Sequence, residues 1–386
     1  MLNLKRLIMR EARSAKTPLA VSGDPIFDNT ATDGYFGDIR DRICRALLTC
    51  RNKSSFRILL YTCRPELFSN DLVFANGGVV EGVTVLSSDV QLAKENRKFD
   101  IAIVCQHIGL EHRIQFVLRE KQMAPLVVVW AWDNHLDPYA NLNFNALADV
   151  VIPSHKYCAN ALKSPQLLLG RTVPQCTSQW ARSFARERID RDKAQFRSNA
   201  LHGGYVLWPI GNRTELLYKI KDAIPGNAIK LIDHKNREAY FGRSLEDRFA
   251  EWVLYKVSLA IPLTNDLSQR VFDALIAGQI PIVPESCYDL DQVVPVQTQK
   301  LLPIIRTKGL SPSEITEAWQ QAIKLFDEMG TEGILNRHAF AREHHHISIR
   351  ISQVTEYVKD IAANPQRIGI KIDNVNVGLV DAGDYN

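Results

Sequence analysis

No stretch of this 386-residue chain approaches the roughly 20 consecutive apolar residues that a membrane-spanning helix needs. The opening residues, MLNLKRLIMREARSAK, are charged throughout and lack the apolar core of a secretory signal, so an exported binding protein is not expected. The seven cysteines, at 44, 50, 63, 105, 158, 176 and 287, contain no CxxC pair. An odd number, several within apolar runs such as IAIVCQ, reads as reduced, buried thiols of a cytoplasmic protein. His344, His345 and His346 are consecutive and so cannot share one helix face as the histidines of an HExxH site do; they read as a polar segment, and no metal is expected. A formal net charge of +4 is too small to point to nucleic acid. No GxGxxG follows an early strand, which disfavours a dehydrogenase.

What is present is a soluble composition, 46% hydrophobic and 23% charged, in a chain longer than one core usually holds. From residue 36 onward, short apolar runs alternate with amphipathic stretches. Ile39, Ile43 and Leu47 repeat at helical spacing. FRILLYT (56–62), VTVLSS (83–88), FDIAIVC (99–105), PLVVVWAW (125–132) and DVVIPS (149–154) read as strands. Continuous apolar strands between helices indicate a parallel sheet buried on both faces. The rhythm breaks over 164–203 and resumes with strands at 205–210, 228–233, 258–263 and 279–284. Helices follow at 311–329, 331–343 and 347–363, and the tail is an added strand or an extended end. The expected organisation is a first α/β domain over 1–163, a connection over 164–203, a second α/β domain over 204–310, and C-terminal helices and tail over 311–386. The segment 1–16 is also a candidate basic amphipathic helix for peripheral contact with a membrane surface, against the commoner packed or solvated helix.

Open parallel sheets take ligands beyond the carboxyl ends of their strands. The loop after SLAIPL reads Thr264-Asn265-Asp266-Leu267-Ser268, all but Leu267 being N-cap formers, and a helix then runs from Gln269 to Ala277. Its first turn would suit a phosphate, with Arg270 adding charge and Asp273 within reach of sugar hydroxyls. The plain alternative is a capped helix packed on its sheet. In VLWPIGNRTELL, Gly211 permits close backbone approach, Asn212 or Thr214 is a cap and Arg213 a phosphate ligand or a solvent-facing charge. Asp233 and His234 follow the strand AIKLID, where a carboxylate could serve as base, nucleophile or ribose ligand, or only cap a turn. Arg237 and Arg243 make that neighbourhood basic. In the first domain WAWDNHLDPY offers Asp133, His135 and Asp137. One of Trp130 and Trp132 is expected in the core and the other exposed. His107 and His155 are weaker candidates.

QRVFDALIAGQIPIVPE resembles the nucleotide-sugar segment of glycosyltransferases with the GT-B fold: a small-residue helix, a Gly, then an apolar strand containing Pro. The likeness is strongest to exostosin-like and related bacterial branches, through Arg270 to Leu275 and Gly278-Gln279-Ile280-Pro281, and covers about 20 residues. Many retaining members carry two Glu eight positions apart around this loop; here those positions hold Asn265 and Asp273. The resemblance implies two Rossmann-like domains facing a cleft, with C-terminal helices. It implies transfer of a sugar from a nucleotide-sugar donor to a glycan or lipid-linked glycan, in bacterial surface polysaccharide synthesis at the cytoplasmic face of a membrane. Donor binding then falls to Gly211, Asn212, Arg213, His234, Thr264, Asn265, Asp266, Ser268, Gln269, Arg270 and Asp273, and catalysis to Asp233, Asp133 and His135. With no DxD in a convincing context, a metal-independent reaction without cofactor is expected. The amide at 265 and the arginines near Asp233 suit an acid sugar, as in bacterial β-Kdo transferases that use CMP-Kdo. An epimerase of the same shape, or a nucleotide-sugar-binding subunit without turnover, would use the same segment.

Overall fold

The computed structural model describes residues 35–51, 57–62, 83–106, 111–136, 145–164, 166–209, 211–372 and 377–382. The segment 1–16, His107 and Asp137 lie outside the described residues.

Helix α1 (Tyr35–Arg51) leads into β1 (Ile58–Tyr61), β2 (Val83–Leu86), α2 (Asp89–Lys94), β3 (Ile101–Gln106), α3 (Glu111–Glu120), β4 (Leu126–Ala131), β5 (Val150–Pro153) and β6 (Leu168–Leu169). The strands form one parallel sheet in the order β2-β1-β3-β4-β5-β6. Strand β4, LVVVWA, shows what drives it. Every position is buried. Leu126, Val128 and Trp130 enter one apolar layer with Ile43 and Leu47 of α1. Val127, Val129 and Ala131 enter another with Ile114 and Leu118 of α3. Side chains alternate along a strand, so a continuous apolar run covers both faces, as a parallel sheet requires.

The second sheet follows α4 (Arg182–Asp192). It takes β7 (Ser198–Leu207), α5 (Arg213–Ala223), β8 (Ala228–Asp233), α6 (Glu238–Phe241), α7 (Leu245–Val253), β9 (Tyr255–Leu259), α8 (Gln269–Ile276), β10 (Ile280–Pro284), α9 (Leu290–Val293), α10 (Val296–Leu301) and β11 (Ile305–Thr307). Its order is β11-β10-β9-β7-β8, with every pair parallel. The order reverses between β7 and β9, so the loops after these two strands diverge and leave a crevice. The strand expected at 205–210 starts earlier, at Ser198, and ends at Leu207. His202-Gly203-Gly204, read as part of a connection, lies inside it. A β carbon on Gly203 would stand 2.8 Å from the Tyr205 ring. The glycine therefore makes room beside an aromatic and does not mark a turn.

Helix α11 (Pro312–His344) opens with a capping box in which Ser311 and Glu314 bond each other's backbone. Non-helical angles at Gly330 divide it, so the two helices expected at 311–329 and 331–343 form one kinked element. Ile315, Ala322, Phe326 and Ile334 enter the second domain's core. The chain then crosses back. Helix α12 (Ile347–Ala363) packs Ile351, Val354 and Val358 into the layer that holds α1. The tail is a hairpin: β12 (Ile368–Ile372) pairs antiparallel with β13 (Val377–Asp381), and β13 joins β6 in parallel. The fold is α/β, two Rossmann-like sheets facing a cleft, and the C-terminal residues complete the first sheet. The outward crossing, 170–181, and the return, 344–347, run side by side. Thr177 N–H donates to His345 O at 2.9 Å and Ile347 N–H to Thr177 O at 3.0 Å.

Candidate functional site

The crevice between β7 and β9 is shaped by one buried carboxylate. Asp266 Oδ1 accepts from the N–H groups of Leu263 (2.7 Å) and Thr264 (3.0 Å). This folds the loop back on itself and delivers Ser268 to the start of α8, where its Oγ accepts from Arg270 N–H at 3.4 Å. Burial would raise the Asp266 carboxyl. His135, His155 and the two loop N–H groups outweigh that and hold it below the ordinary carboxylate range. The other wall is the start of α5. Gly211 sits at φ +62° and Asn212, exposed, takes the cap position without a side-chain bond. Arg213 turns inward, only 5% exposed, and donates from Nη2 to Val206 O at 2.9 Å. Arg270 donates from Nε to Gly204 O at 2.9 Å. The two guanidinium groups stand over the Tyr205 ring, at 5.8 and 4.6 Å. Burial and the neighbouring Arg270 pull Arg213 down to about 10. Its Nε has no partner among the described residues.

The first domain presents two imidazoles to this crevice. The Asn134 side chain ties the turn after β4 to the end of β5, accepting from Ser154 N–H (3.1 Å) and His155 N–H (3.0 Å) and donating to His155 O (3.1 Å). This clamp sets His135 against His155 edge to face, with ring centroids 4.5 Å apart. Burial lowers both. For His135, Asp266 acts against the burial effect and Arg213 with it; His155 is brought down to about 3 by burial and by His135. His135 Nδ1 and both nitrogens of His155 lack hydrogen-bond partners among the described residues. The seam between the domains closes beside them. Asp289 Oδ2 accepts from Lys156 N–H at 2.7 Å, and Tyr157 Oη lies 3.0 Å from Thr264 Oγ1.

No family model matches the chain, and no curated protein matches it in sequence. Several solved structures are similar in fold. A UDP-forming trehalose-phosphate synthase from Burkholderia xenovorans is 13% identical with a TM-score of 0.42, over 72% of this chain and 75% of its own. The HepE protein of Anabaena, solved with UDP-glucose, is 10% identical with a TM-score of 0.46, over 79% of this chain and 100% of its own.

The sequence-derived candidates divide into three sets. Arg213, Asp266, Ser268, Arg270 and His135 meet at the crevice, with Thr264 exposed and Asn265 half-buried at its rim. Asp233 stands apart at the end of the edge strand β8. Its Oδ1 accepts from Lys235 N–H at 2.8 Å, its side chain is 58% exposed, and His234 Nδ1 lies 3.4 Å away. Asp133 lies half-buried in the turn after β4, where its carbonyl accepts from Leu136 N–H. Gln269 and Asp273 form the third set and face the crossing strand: Ser178 Oγ donates to Gln269 Oε1 at 2.8 Å, and both Asp273 oxygens are bonded by residues 177 and 179. The expectation that one tryptophan of WAW is exposed is overturned. Trp130 and Trp132 are both buried and meet edge to face at 5.0 Å, because β4 ends between them and the turn keeps Trp132 in the core. The sequence did not single out Asn134 or Asp289. Asn134, inside WDNH, had the signal of a strand-end position; Asp289 had none that distinguishes it from a turn former.

Proposed function

We propose that this chain transfers a sugar from a nucleotide-sugar donor to a hydroxyl acceptor. One observation carries the reading. The loops at the strand-order reversal bring a buried, incompletely bonded guanidinium, Arg213, and a capped helix start to the same crevice as His135 of the opposite domain. Arg213 and the first N–H groups of α8 hold the donor phosphate and stabilise the charge that grows on it as the glycosidic C–O bond breaks. Burial keeps His135 neutral, so its unprotonated nitrogen accepts the proton of the attacking hydroxyl. Phosphate stabilisation falls to these groups, and the proposed reaction uses no metal. The arginines expected to favour an acid sugar are paired, Arg243 with Glu251 and Arg237 with Glu238. This leaves Arg213 and Arg270 as the cations of the crevice, and CMP-linked acid sugars compete on equal terms with UDP- or GDP-hexoses as donors. A glycan or lipid-linked glycan at the cytoplasmic face of a membrane is the acceptor class proposed.

Calorimetry with CMP, UDP, GDP and ADP tests the reading. One nucleotide is expected to bind preferentially, and Arg213→Ala to weaken it by about tenfold or more, the scale of a charge-assisted hydrogen bond. Absence of binding by all four at millimolar concentration would remove the donor site and leave α8 as a helix packed on its sheet.

A further inference from the structure

Asp273 lies one turn into α8, where the family likeness expects a ligand for sugar hydroxyls. The structure gives it other partners. It is 2% exposed. Thr177 Oγ1 donates to its Oδ1 at 2.7 Å and Gln179 Nε2 to its Oδ2 at 2.6 Å. Both donors belong to the outward crossing strand. Gln179 is held in turn by Arg248 of α7, whose Nη1 donates to Gln179 Oε1 at 3.2 Å. The next residue toward the start of α8, Phe272, stacks on His345 of the return crossing, with centroids 4.5 Å apart and ring planes within 16°. His346 Nε2 lies 2.8 Å from Trp180 O and so fastens the return crossing to the outward one. The helix whose first turn faces the crevice therefore grips, by its second turn, both strands that connect the two domains.

We propose that Asp273 is a positioning residue that couples α8 to the interdomain hinge, so that occupation of the crevice and the setting of the two domains move together. A displacement of α8 toward a bound phosphate pulls Thr177 and Gln179 with it. The paired strands then shift as one unit, because Thr177 bonds the return crossing on both sides, through its own N–H and its own carbonyl. The nucleotide half of this statement rests on the donor-site reading; the hinge half does not.

Hydrogen–deuterium exchange on the full chain, without ligand, tests the hinge half. Asp273→Asn leaves one acceptor where the carboxylate had two: the new N–H₂ meets either the N–H₂ of Gln179 or the hydroxyl of Thr177, and the charge that strengthens both bonds is lost, with little change of volume. The expected result is exchange about tenfold faster in peptides covering 175–181 and 345–349, with the rest of the chain unchanged. Thr177→Val should act in the same direction. The swap Asp273→Asn with Gln179→Glu restores one donor facing one acceptor and should return exchange to the wild-type rate, a rescue that a general loss of packing would not give. Unchanged exchange in both single variants, or failure of the swap to rescue, would overturn the proposal. The nucleotide found to bind should slow exchange in the same two segments of the wild type and not in Asp273→Asn. If it binds and slows neither, coupling is refuted while the donor site stands; if nothing binds, the donor reading fails and the apo measurement still judges the hinge.

Discussion

At the scale of single residues, burial sets the chemistry more than charge pairing does. His135 is kept below its ordinary range chiefly by burial, which leaves it able to accept a proton near neutral pH. His135→Gln is expected to lower sugar transfer by about 10²–10⁴-fold while nucleotide affinity, read by calorimetry, stays within error of the wild type. Asp273 is the opposite case. Burial raises its carboxyl to about 6, against the lowering effect of Gln179, Thr177, Arg270 and Arg248. The folded state therefore holds this proton more tightly than the unfolded chain. The stabilisation it gives is full below about pH 4 and is lost as pH rises through about 6. A shift of this size corresponds to about 3 kcal/mol between those limits. Urea midpoints for the wild type should fall between pH 5 and pH 7 by more than those of Asp273→Asn, whose side chain does not ionise; equal slopes would refute the assignment.

At the scale of elements, α8 is defined as much by its end as by its start. Gly278 takes φ +76°, and a β carbon there would stand 2.6 Å from Ile334 Cγ2 of α11. The last carbonyls are taken by three buried side chains: Arg197 donates to Ala277 O at 2.8 Å, Arg337 to Gly278 O at 3.0 Å, and His338 Nδ1 lies 2.6 Å from Ile276 O. Cations at a helix carboxyl end suit its dipole. Gly278→Ala is expected to cost on the order of 1–3 kcal/mol, from backbone strain and overpacking, measured by urea unfolding. The start and stop of α8 were legible from Ser268 and Gly278, because caps and left-handed ends are written in local residue types. Strands β4 and β10 were legible from apolar runs. β9 was displaced: Tyr255, Lys256 and Val257 read as the end of the preceding helix yet lie in the strand, which stops at Leu259 and not at Leu263. The early start of β7 was not legible, since Gly203 and Gly204 carry a turn signal that only the neighbouring Tyr205 and Arg270 override. The direction of Asp273 was equally hidden. A helix face fixes which residues are buried, and nothing local says that a crossing strand almost a hundred residues away will supply the donors.

At the scale of the whole molecule, the two domains meet along two contacts of different kinds. One is the hinge, covalent and buried. The other is the seam, where Asp289 caps the first turn after β5 and Tyr157 meets Thr264. The two-sheet architecture was foreseeable from alternating apolar runs, but the seam was not: its partners lie on surface loops whose approach depends on the setting of whole domains. Asp289→Ala removes the acceptor that Lys156 N–H uses across the seam. The radius of gyration from small-angle scattering should rise in that variant without nucleotide and return toward the wild-type value with it; an unchanged radius would mean the hinge alone fixes the domain setting.

The return of the chain through 344–347 has a consequence for synthesis. The second sheet is built from one uninterrupted stretch, β7 to β11, and its core is available once α11 has left the ribosome. The first sheet is not, although six of its strands are made earlier: until β13 arrives, the backbone of β6 offers an unpaired edge, and α1 lies without α12 beside it. The order of maturation is then the reverse of the order of translation. An exposed strand edge is a template for pairing with another chain, so the interval between the emergence of β6 and that of β13 is when a nascent copy is most exposed to its neighbours on the same message.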